Sequence, residues 1–337
     1  MEKCTKCGGL LNFDPNSQKL MCKSCQSTYD ILESNKFVLH PFDMSSKTTE
    51  DTIDDSNIKS HCSSCGAVFA GKTLAISSIC SYCGAPLVLE YGAMGIDACI
   101  PFAFDRNTAK QKFKEGIKSK WFLPRKFKKE PPENEIESVY IPAYLCNVKT
   151  QNEYSGEIYD ESRNSDGSTN RSYRKIKGNL GFVHENIVTE CSSQITQTTL
   201  NEINPFDVKG AKKFSPDYLM GYSTEFYNRN LEQCKQNIKA VASSDIRERI
   251  LKNYNYDGVN YLNIHTDFFD CTYSKIILPT YKVKYTYAGK EYSTFMNGQT
   301  GKVGGNLPRS IGKILLSIAG GLLLVGLIGF LIFYFFK

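Results

Sequence analysis

The sequence predicts two small β-type zinc ribbons, followed by an α+β domain with antiparallel strands and a C-terminal transmembrane helix. Three observations predict this fold class. Eight cysteines repeat one spacing twice near the N-terminus, the middle of the 337-residue chain mixes strand-like and helix-like patterns, and the last residues form an apolar run. We expect a first ribbon over 1–33, a flexible linker over 34–60, a second ribbon over 61–90, the α+β domain over 91–308 and the helix over 314–336.

The eight cysteines form two sets with the spacing C-x2-C-x14-C-x2-C. Each close pair allows two thiolates to reach one ion at about 2.3 Å, and the longer gap allows a hairpin to return with the other pair. Gly8, Gly66 and Gly84 follow three of the four pairs, where a tight knuckle favours positive φ, whereas Gln26 follows the remaining pair. We expect two structural Zn²⁺ ions per chain. The ligands are Cys4, Cys7, Cys22 and Cys25 in the first site, and Cys62, Cys65, Cys80 and Cys83 in the second.

A disulfide framework is the alternative interpretation of an even cysteine set. Nothing at the N-terminus resembles a signal peptide, and the other cysteines are scattered singly, which favours a reducing compartment. Metal also supplies stability that the modules lack, because roughly 25 residues bury too little apolar surface to fold alone and zinc contributes on the order of 10 kcal/mol. We expect the single cysteines to be small buried hydrophobes. They are Cys99, Cys146, Cys191, Cys234 and Cys271.

The end of the chain predicts a membrane span. Ile314 to Phe336 contains 23 uncharged residues. Such a helix extends about 35 Å, enough for a hydrocarbon core of about 30 Å. With a single residue after the span, we expect a single-pass, tail-anchored protein of the cell membrane. Basic residues before the span predict that the N-terminal domains lie in the cytoplasm. These residues are Lys302, Arg309 and Lys313. The small pair Ser317 and Gly321 leaves self-association through this helix open.

Two segments differ from the rest in charge. Residues 43–60 are polar and acidic, which predicts a flexible linker and ribbons that orient independently. Arg106 to Lys129 holds ten basic residues against the single acid Glu115. This basic segment is interpreted either as a surface for anionic lipid or nucleic acid, or as the solvated face of an amphipathic helix. Its apolar face would consist of Ala109, Phe113, Ile117 and Trp121 after an Asp105 cap.

The remaining patterns predict the α+β domain. Ser138 to Thr189 reads as antiparallel strands with a turn at Asp166-Gly167. A helix running towards Leu251 should bury Leu231, Cys234, Ile238 and Val241. Strands over Ile276–Tyr287 and Glu291–Met296 should be joined by a turn at Ala288-Gly289. Three segments share an apolar-Pro start and suggest edge strands of a duplicated unit. They begin at Ile100, Ile141 and Leu278.

Catalytic motifs are weak in this chain, and we expect no enzyme. Gly66 to Thr73 matches the phosphate-binding pattern G-x4-G-K-T, but it lies between zinc ligands and lacks the required strand before and helix after. His184-Glu185 lacks the second histidine of H-E-x-x-H, and no G-x-S-x-G elbow occurs.

Several segments resemble a bacterial family of membrane-anchored double zinc-ribbon proteins. They include IPFAFDRNTAKQKFKEGIKSKWFLP, YIPAYLCNV, NPFDVKGAKKFSPDYLMGYSTEFY and MNGQTGKVGGNLP, and with the ribbons and terminal helix they cover nearly the whole chain. Members are labelled as containing transcription-factor-IIB-type zinc ribbons or as PriA-like, although this chain has no helicase motor motifs. The family is similar to proteins found beside phage-shock-type and SPFH (flotillin-like) membrane proteins, which implies a recruiting role in envelope stress.

Two functions fit this sequence best, and an enzyme with an unrecognised site is left as a third alternative. The favoured one is a non-enzymatic adaptor that presents two zinc modules to a cytoplasmic or membrane-associated protein partner. The alternative is a membrane-tethered, replication- or transcription-related factor that binds nucleic acid. The first ribbon offers Lys3, Lys6, Lys19, Lys23 and Tyr29 for such binding, whereas the second offers little beyond Lys72 and Tyr82.

Overall fold

The computed structural model describes residues 3–32, 34–46, 59–62, 65–70, 76–88, 95–131, 134–164, 167–225 and 227–335. The chain divides into two compact units. The first unit comprises Met1–Pro101, Tyr140–Gln197 and Asp207–Leu278. The second comprises Phe102–Val139, Thr198–Phe206 and Pro279–Lys337. The α+β region predicted over residues 91–308 therefore contributes to both units.

The strands are numbered in chain order. They are β1 Leu11–Asp14, β2 Lys19–Cys22, β3 Thr28–Tyr29, β4 His40–Phe42, β5 Lys59–His61, β6 Val68–Ala70, β7 Ser77–Ile79, β8 Pro86–Val88, β9 Ala98–Cys99, β10 Asn134–Arg163, β11 Thr169–Glu190, β12 Lys212–Lys213, β13 Ser223–Thr224, β14 Gly258–Tyr287, β15 Lys290–Asn297 and β16 Val303–Gly305. The α-helices are α1 Arg106–Ser119, α2 Arg125–Lys129, α3 Gln197–Ile203, α4 Leu231–Leu251 and α5 Ile311–Phe335. Two 3-10 helices cover Val208–Gly210 and Pro216–Leu219.

The first unit combines the cysteine-rich region with a large mixed sheet. The first four-cysteine set lies on the antiparallel sheet β1-β2-β3, and β5 pairs with β6 in the second. The large sheet has the order β12-β9-β14-β10-β13-β7-β8, with β11 on β10 and β4 on β14. The predicted fold class is confirmed: the structure contains small antiparallel cysteine modules, an α+β sheet and a C-terminal apolar helix.

The hairpin of β10 and β11 confirms the predicted antiparallel strands. Its register runs from Ala143 opposite Glu190 to Arg163 opposite Thr169, with an irregularity between Cys146 and Val148. Gly167 has a φ of +84°, as a tight turn requires. Asp166, the other half of the predicted turn, lies outside the described residues.

Helix α4 packs on β11 and closes the core of the first unit. Asn230 and Gln233 form a reciprocal capping box at its start. Leu231, Cys234 and Ile238 are buried as predicted. Val241 is 40 % exposed, so this part of the prediction is wrong. The buried stripe continues in steps of four residues through Ala242, Ile246 and Ile250, because positions i and i+4 share a helix face.

The predicted linker over 34–60 is partly ordered sheet. Residues His40–Phe42 form β4 and pair with Cys271–Tyr273 of β14. His40 also contacts Asp97, with 2.9 Å between Nε2 and Oδ1. A flexible linker therefore does not begin at residue 34. Residues 47–58 of that range lie outside the described residues.

Strand β14 also corrects the prediction of three edge strands. It lies between β9 and β10, so Leu278 does not begin an edge strand. The Ile100 amide donates to the Ile277 carbonyl at 3.1 Å, which places the first of the three segments directly beside the third. The predicted duplication stays a prediction.

The second unit contains α1, α2 and a three-stranded meander. Asp105 caps α1 by accepting from the Thr108 amide at 2.9 Å, and Ala109, Phe113 and Ile117 are buried as predicted. Trp121 lies beyond the end of α1 and is exposed, so it does not share their buried face. The last residues of β14 pair with β15 and β15 with β16. The predicted turn has positive φ at both Ala288 and Gly289.

Helix α5 ends the described chain. Its segment Ile311–Leu331 has a mean hydropathy of 2.6 and is long and apolar enough to cross a membrane. The helix begins three residues before the predicted start at Ile314. Phe336, the predicted last residue of the span, lies outside the described residues.

Candidate metal centres

The four cysteine pairs fold into knuckles with one backbone pattern. The amide four residues after the first cysteine donates to that cysteine's carbonyl, and the cysteine's own amide donates to the carbonyl five residues on. The first bond measures 2.8 Å for Gly8 to Cys4 and 2.9 Å for Gly84 to Cys80, and the second measures 2.9 Å for Cys4 to Gly9. Because these bonds tighten each turn, both sulfurs of a pair face the same point.

Each knuckle places the residue after its second cysteine in the left-handed region. Gly8, Gly66 and Gly84 have φ values of +71°, +75° and +70°, as the sequence predicts. Gln26 takes the same conformation with a φ of +59°. A side chain in this conformation costs about 1–2 kcal/mol, so this knuckle keeps its geometry against local strain.

The sulfurs of each predicted set fit a tetrahedral metal ion. In each set the four Sγ atoms lie within 4.8 Å of one another. Cys4 and Cys25 are 3.5 Å apart, and Cys62 and Cys83 are 3.6 Å apart. Four sulfurs at about 2.3 Å from a zinc ion would be about 3.8 Å apart, whereas a disulfide requires about 2.05 Å. These sets therefore match a four-thiolate ion site and do not match a disulfide framework.

The ligands alternate in exposure. The first cysteine of each pair is buried and the second is exposed, in both sets. In the first set the Tyr29 hydroxyl lies 3.2 Å from the Cys4 Sγ and 3.1 Å from the Thr5 amide. This hydrogen bond lowers the pKa of the Cys4 thiol to about 6, which favours the thiolate that a metal requires. Tyr29 is a ligand-orienting residue here, and not only the aromatic surface residue that the sequence suggests.

The first ribbon docks on one short segment, residues 216–224, which we call the ribbon platform. The Phe13 amide of β1 donates to the Met220 carbonyl at 3.0 Å. The buried Phe13 ring packs edge-on against Tyr218, with 5.4 Å between centroids, and also contacts Tyr222. A backbone bond and a buried aromatic cluster therefore fix this ribbon to the sheet domain.

The second ribbon docks on the same ribbon platform through strand pairing and hydrogen bonds rather than aromatic packing. The Ile76 amide donates to the Thr224 carbonyl at 2.7 Å, next to the pairing of β7 with β13. The buried Ser77 hydroxyl lies 2.7 Å from both the Tyr222 carbonyl and the Thr224 hydroxyl. This ribbon is therefore attached as a strand of the large sheet.

The two ribbons also contact one another. Leu10 of the first ribbon packs against a small buried cluster of the second, formed by Cys62, Cys80 and Ala85. With both ribbons on the ribbon platform, the prediction that they orient independently is wrong. Sequence reasoning missed this arrangement because platform and ribbons are far apart in the chain.

The segment that resembles a phosphate-binding loop, Gly66 to Thr73, belongs to the second ribbon. Gly66 forms part of a knuckle and Val68–Ala70 form β6, while residues 71–75 lie outside the described residues. Lys19 pairs with Asp30 at 2.7 Å, which removes one cation from the proposed nucleic-acid surface. The single cysteines are buried as predicted, and burial raises the pKa of the Cys271 thiol to about 11.

One unpredicted constellation has the form of a catalytic triad. The Asp245 carboxylate lies 2.8 Å from His184 Nδ1, and His184 Nε2 lies 3.2 Å from the Thr150 hydroxyl. Burial lowers the pKa of His184 despite Asp245. Thr150 and His184 are buried, and the Asn152 amide also donates to the Thr150 hydroxyl at 3.0 Å. A substrate carbonyl cannot reach this hydroxyl, so we interpret the group as a structural network.

The chain is similar to YdjG, an uncharacterized protein of Bacillus subtilis (strain 168). The two are 27 % identical over 328 residues, which cover 95 % of this chain and 94 % of the relative. The unmatched twentieth of this chain is shorter than either α5 or the first ribbon, so the likeness includes part of each. No family model and no solved structure matches the chain. Membership of the double zinc-ribbon family therefore stays a prediction.

Proposed function

We propose that this protein is a non-enzymatic, membrane-anchored adaptor whose two zinc ribbons dock a protein partner in the cytoplasm. The observation that carries the proposal is the shared attachment of both four-cysteine sites to the ribbon platform. Two modules attached to the same short segment, and both in contact with Tyr222, present one composite surface of fixed geometry. Fixed presentation favours protein recognition, because a preorganised surface loses little conformational entropy on binding.

Zinc is the metal that these donors favour. Four cysteine thiolates at tetrahedral separations are the usual structural zinc set, and no ligand position is left open for a substrate. When bound, zinc would hold each pair of knuckles together. The chain's own residues fix the ligand orientation, with the Tyr29 hydroxyl supporting Cys4 in the first ribbon.

The second ribbon supplies anchor residues for a partner. Tyr82, in the last knuckle, is 76 % exposed. Val68 and Ile79 of the same ribbon are also exposed. Tyrosine is a preferred anchor of protein interfaces because it buries a large rigid surface while its hydroxyl still finds a partner. A protein with an apolar pocket that admits Tyr82 is the partner that this surface suits.

The length and apolar character of α5 support membrane anchorage. The closed four-cysteine sites support a structural rather than a catalytic role for the metal. With basic residues before α5, the positive-inside rule favours a cytoplasmic location for the ribbons. The Thr150–His184–Asp245 network supports the same proposal, since its hydroxyl is buried. The partner is expected at the membrane, and SPFH or phage-shock-type proteins are the first candidates that the family resemblance implies.

Crosslinking and pull-down from membranes tests this function. We compare the full-length chain with Tyr82→Ala, and use Tyr261→Ala, an exposed tyrosine of β14, as the matched control. Crosslinked proteins that persist with Tyr261→Ala and disappear with Tyr82→Ala support the adaptor. Cys62→Ser should lose the same proteins. An unchanged set with both ribbon variants contradicts it.

The nucleic-acid alternative rests on exposed lysines of the first ribbon. Lys3, Lys6 and Lys23 are exposed around its knuckles. Binding through them would weaken steeply with salt, because each neutralised phosphate releases a condensed counterion. Two results together would favour this alternative over the adaptor. One is salt-sensitive binding of double- or single-stranded nucleic acid that Lys6→Gln weakens. The other is that no protein is crosslinked in a Tyr82-dependent way.

A further inference from the structure

The loop after α1 holds the base of the apolar helix. The Ser310 amide donates to the Phe122 carbonyl at 2.8 Å. The Lys313 ammonium donates to the carbonyls of Trp121 and Leu123, each at 2.8 Å. It also lies 5.4 Å from the centre of the Trp121 ring. The first turn of α5 and this loop therefore form one junction within the second unit.

The junction exposes large aromatic side chains. Trp121 is 64 % exposed and Phe122 48 % exposed, whereas the next residue, Leu123, is buried. Adjacent exposed aromatic rings are unfavourable in water and favourable at a membrane–water interface, where tryptophan is enriched. Their position beside the first turn of an apolar helix matches the depth of that interface.

Positive charge concentrates at the same junction. Residues 118–129 contain six basic side chains and no acidic one. Two further basic residues lie at the base of α5, Arg309 just before the helix and Lys313 in its first turn. Lys128 donates to the Lys118 carbonyl at 2.9 Å. Desolvation, together with the positive charge of Lys313, lowers the pKa of Lys128. These cations crowd one another, and an anionic ligand would relieve their repulsion.

A cleft opens at this point of the second unit. Its volume is about 530 Å³. This volume is large enough for a lipid headgroup with its phosphate, because small-molecule sites are typically clefts of about 300–1,000 Å³. Lys120, Arg309, Trp121 and Phe122 line it, as does the carboxylate-bearing Glu202. The Glu202 carboxylate accepts from the Gly305 amide at 2.6 Å, so its charge is engaged by the backbone.

We propose that this cleft binds the headgroup of an anionic phospholipid, with Lys120 and Arg309 as partners of the phosphate and Trp121 at the interface. This inference rests on the proposed membrane anchorage. It assigns Lys120, within the basic segment Arg106–Lys129, a role at the lipid surface rather than on nucleic acid. The bound lipid would fix the second unit against the membrane at a defined place beside α5.

Trp121 is the only tryptophan of the chain, so its fluorescence reports on this junction alone. The full-length protein is reconstituted in vesicles of phosphatidylcholine with phosphatidylglycerol. Two matched samples are prepared: in one the phosphatidylcholine carries bromine-labelled acyl chains, and in the other the phosphatidylglycerol does. Bromine quenches tryptophan fluorescence, so the stronger quenching identifies the lipid nearer to Trp121. We expect phosphatidylglycerol to be enriched at least about fivefold near Trp121, the factor for one basic residue at an anionic surface.

Two double variants remove the same charge from different places. Lys120→Gln with Arg309→Gln is expected to abolish the enrichment. Lys110→Gln with Lys114→Gln changes exposed cations of α1 that do not line the cleft, and should preserve it. Equal quenching by both lipids in the unaltered protein overturns the proposal. Equal loss in both double variants also overturns it, because diffuse attraction would then explain the preference.

Alkaline carbonate extraction separates this proposal from the membrane anchorage on which it rests. A chain released by carbonate from neutral vesicles contradicts the anchorage itself. A chain retained without lipid preference contradicts the headgroup cleft alone. A metal content of two ions per chain shows that the first unit of each variant is folded. An unchanged Trp121 emission spectrum in detergent shows the same for the junction in the second unit.

Discussion

The two ribbons share one cysteine spacing but differ in how they are stabilised. The first has a three-stranded sheet, buried apolar side chains of its own and a tyrosine on its ligand. The second has a small buried cluster around Cys62, Cys80 and Ala85, against which Leu10 of the first ribbon packs. Its buried Ile76 and Ser77 lie where the ribbon joins β13. The cysteine pattern therefore sets the knuckle, and the residues between the pairs decide how far each module depends on its surroundings.

Removing a ligand from either ribbon is the largest change, and we expect its effect to be asymmetric. Cys22→Ser should empty the first site and also weaken the second, because Leu10 loses its fixed position. Cys80→Ser should empty the second site and leave the first nearly intact. Metal content and chelator-driven release are measured on the full chain in detergent. Symmetric loss would contradict the dependence of the second ribbon on the first.

Phe13→Ala is expected to detach the first ribbon from the ribbon platform. The ring is buried against Tyr218 and Tyr222, and removing such a ring costs about 3–5 kcal/mol. Hydrogen exchange at β1 and β2 should rise sharply, while metal content stays at two ions in the absence of chelator. Unchanged exchange would show that the backbone bond to Met220 suffices.

Tyr29→Phe is expected to weaken metal binding in the first ribbon only. The hydroxyl contacts the Cys4 sulfur and the Thr5 amide, and losing such a supporting bond costs about tenfold in affinity. The equivalent position of the second ribbon is Leu87, which has no hydroxyl. Competition with a chelator should therefore show one weakened site. Two weakened sites would mean that the bond acts through the fold as a whole.

Ser77→Ala tests the attachment of the second ribbon. The hydroxyl lies within hydrogen-bond distance of the Tyr222 carbonyl and the Thr224 hydroxyl, so its loss is expected to cost about 1–3 kcal/mol. Exchange should increase at β7 and β13 and stay unchanged at β1. The matched control is Ser172→Ala in β11, an exposed serine. An equal effect of the control would argue against a specific attachment.

Gln26→Gly is expected to produce the smallest effect, and a stabilising one. It replaces a side chain held at a φ of +59° by the residue found at the three other knuckles. The gain should be about 1 kcal/mol at most, since glycine also increases the freedom of the unfolded chain. This stabilisation should appear as slower release of metal from the first site to a chelator. Faster release would show that the Gln26 side chain contributes more than its strain costs.

Local patterns predicted much of this fold. Cysteine spacing specified both ligand sets, because each knuckle is built within a few residues. Helical spacing predicted the first three apolar residues of the buried stripe of α4, Leu231, Cys234 and Ile238, and was wrong at Val241. The turn at Ala288-Gly289 followed from residues that accept positive φ. These features depend on contacts short enough in sequence for residue type and spacing to reveal them.

Long-range contacts set the limit of prediction. Phe13 meets residues near position 220, and His40–Phe42 pairs with residues near position 272. Neither partner carries a pattern that identifies the other, and a three-residue strand has too short an alternation to be recognised. The acidic composition around residue 50 suggested independent ribbons, but packing of Leu10 and the ribbon platform decided the arrangement.

Lys313 has a mechanical consequence for the proposed anchorage. Its ammonium group is bound to the carbonyls of Trp121 and Leu123, so it does not extend freely towards the aqueous phase as a lysine at a helix end often does. The helix cannot slide along its axis without carrying this loop with it. In a bilayer thicker or thinner than the apolar run, the mismatch would be met by tilting α5 together with the loop, or by deforming the lipid.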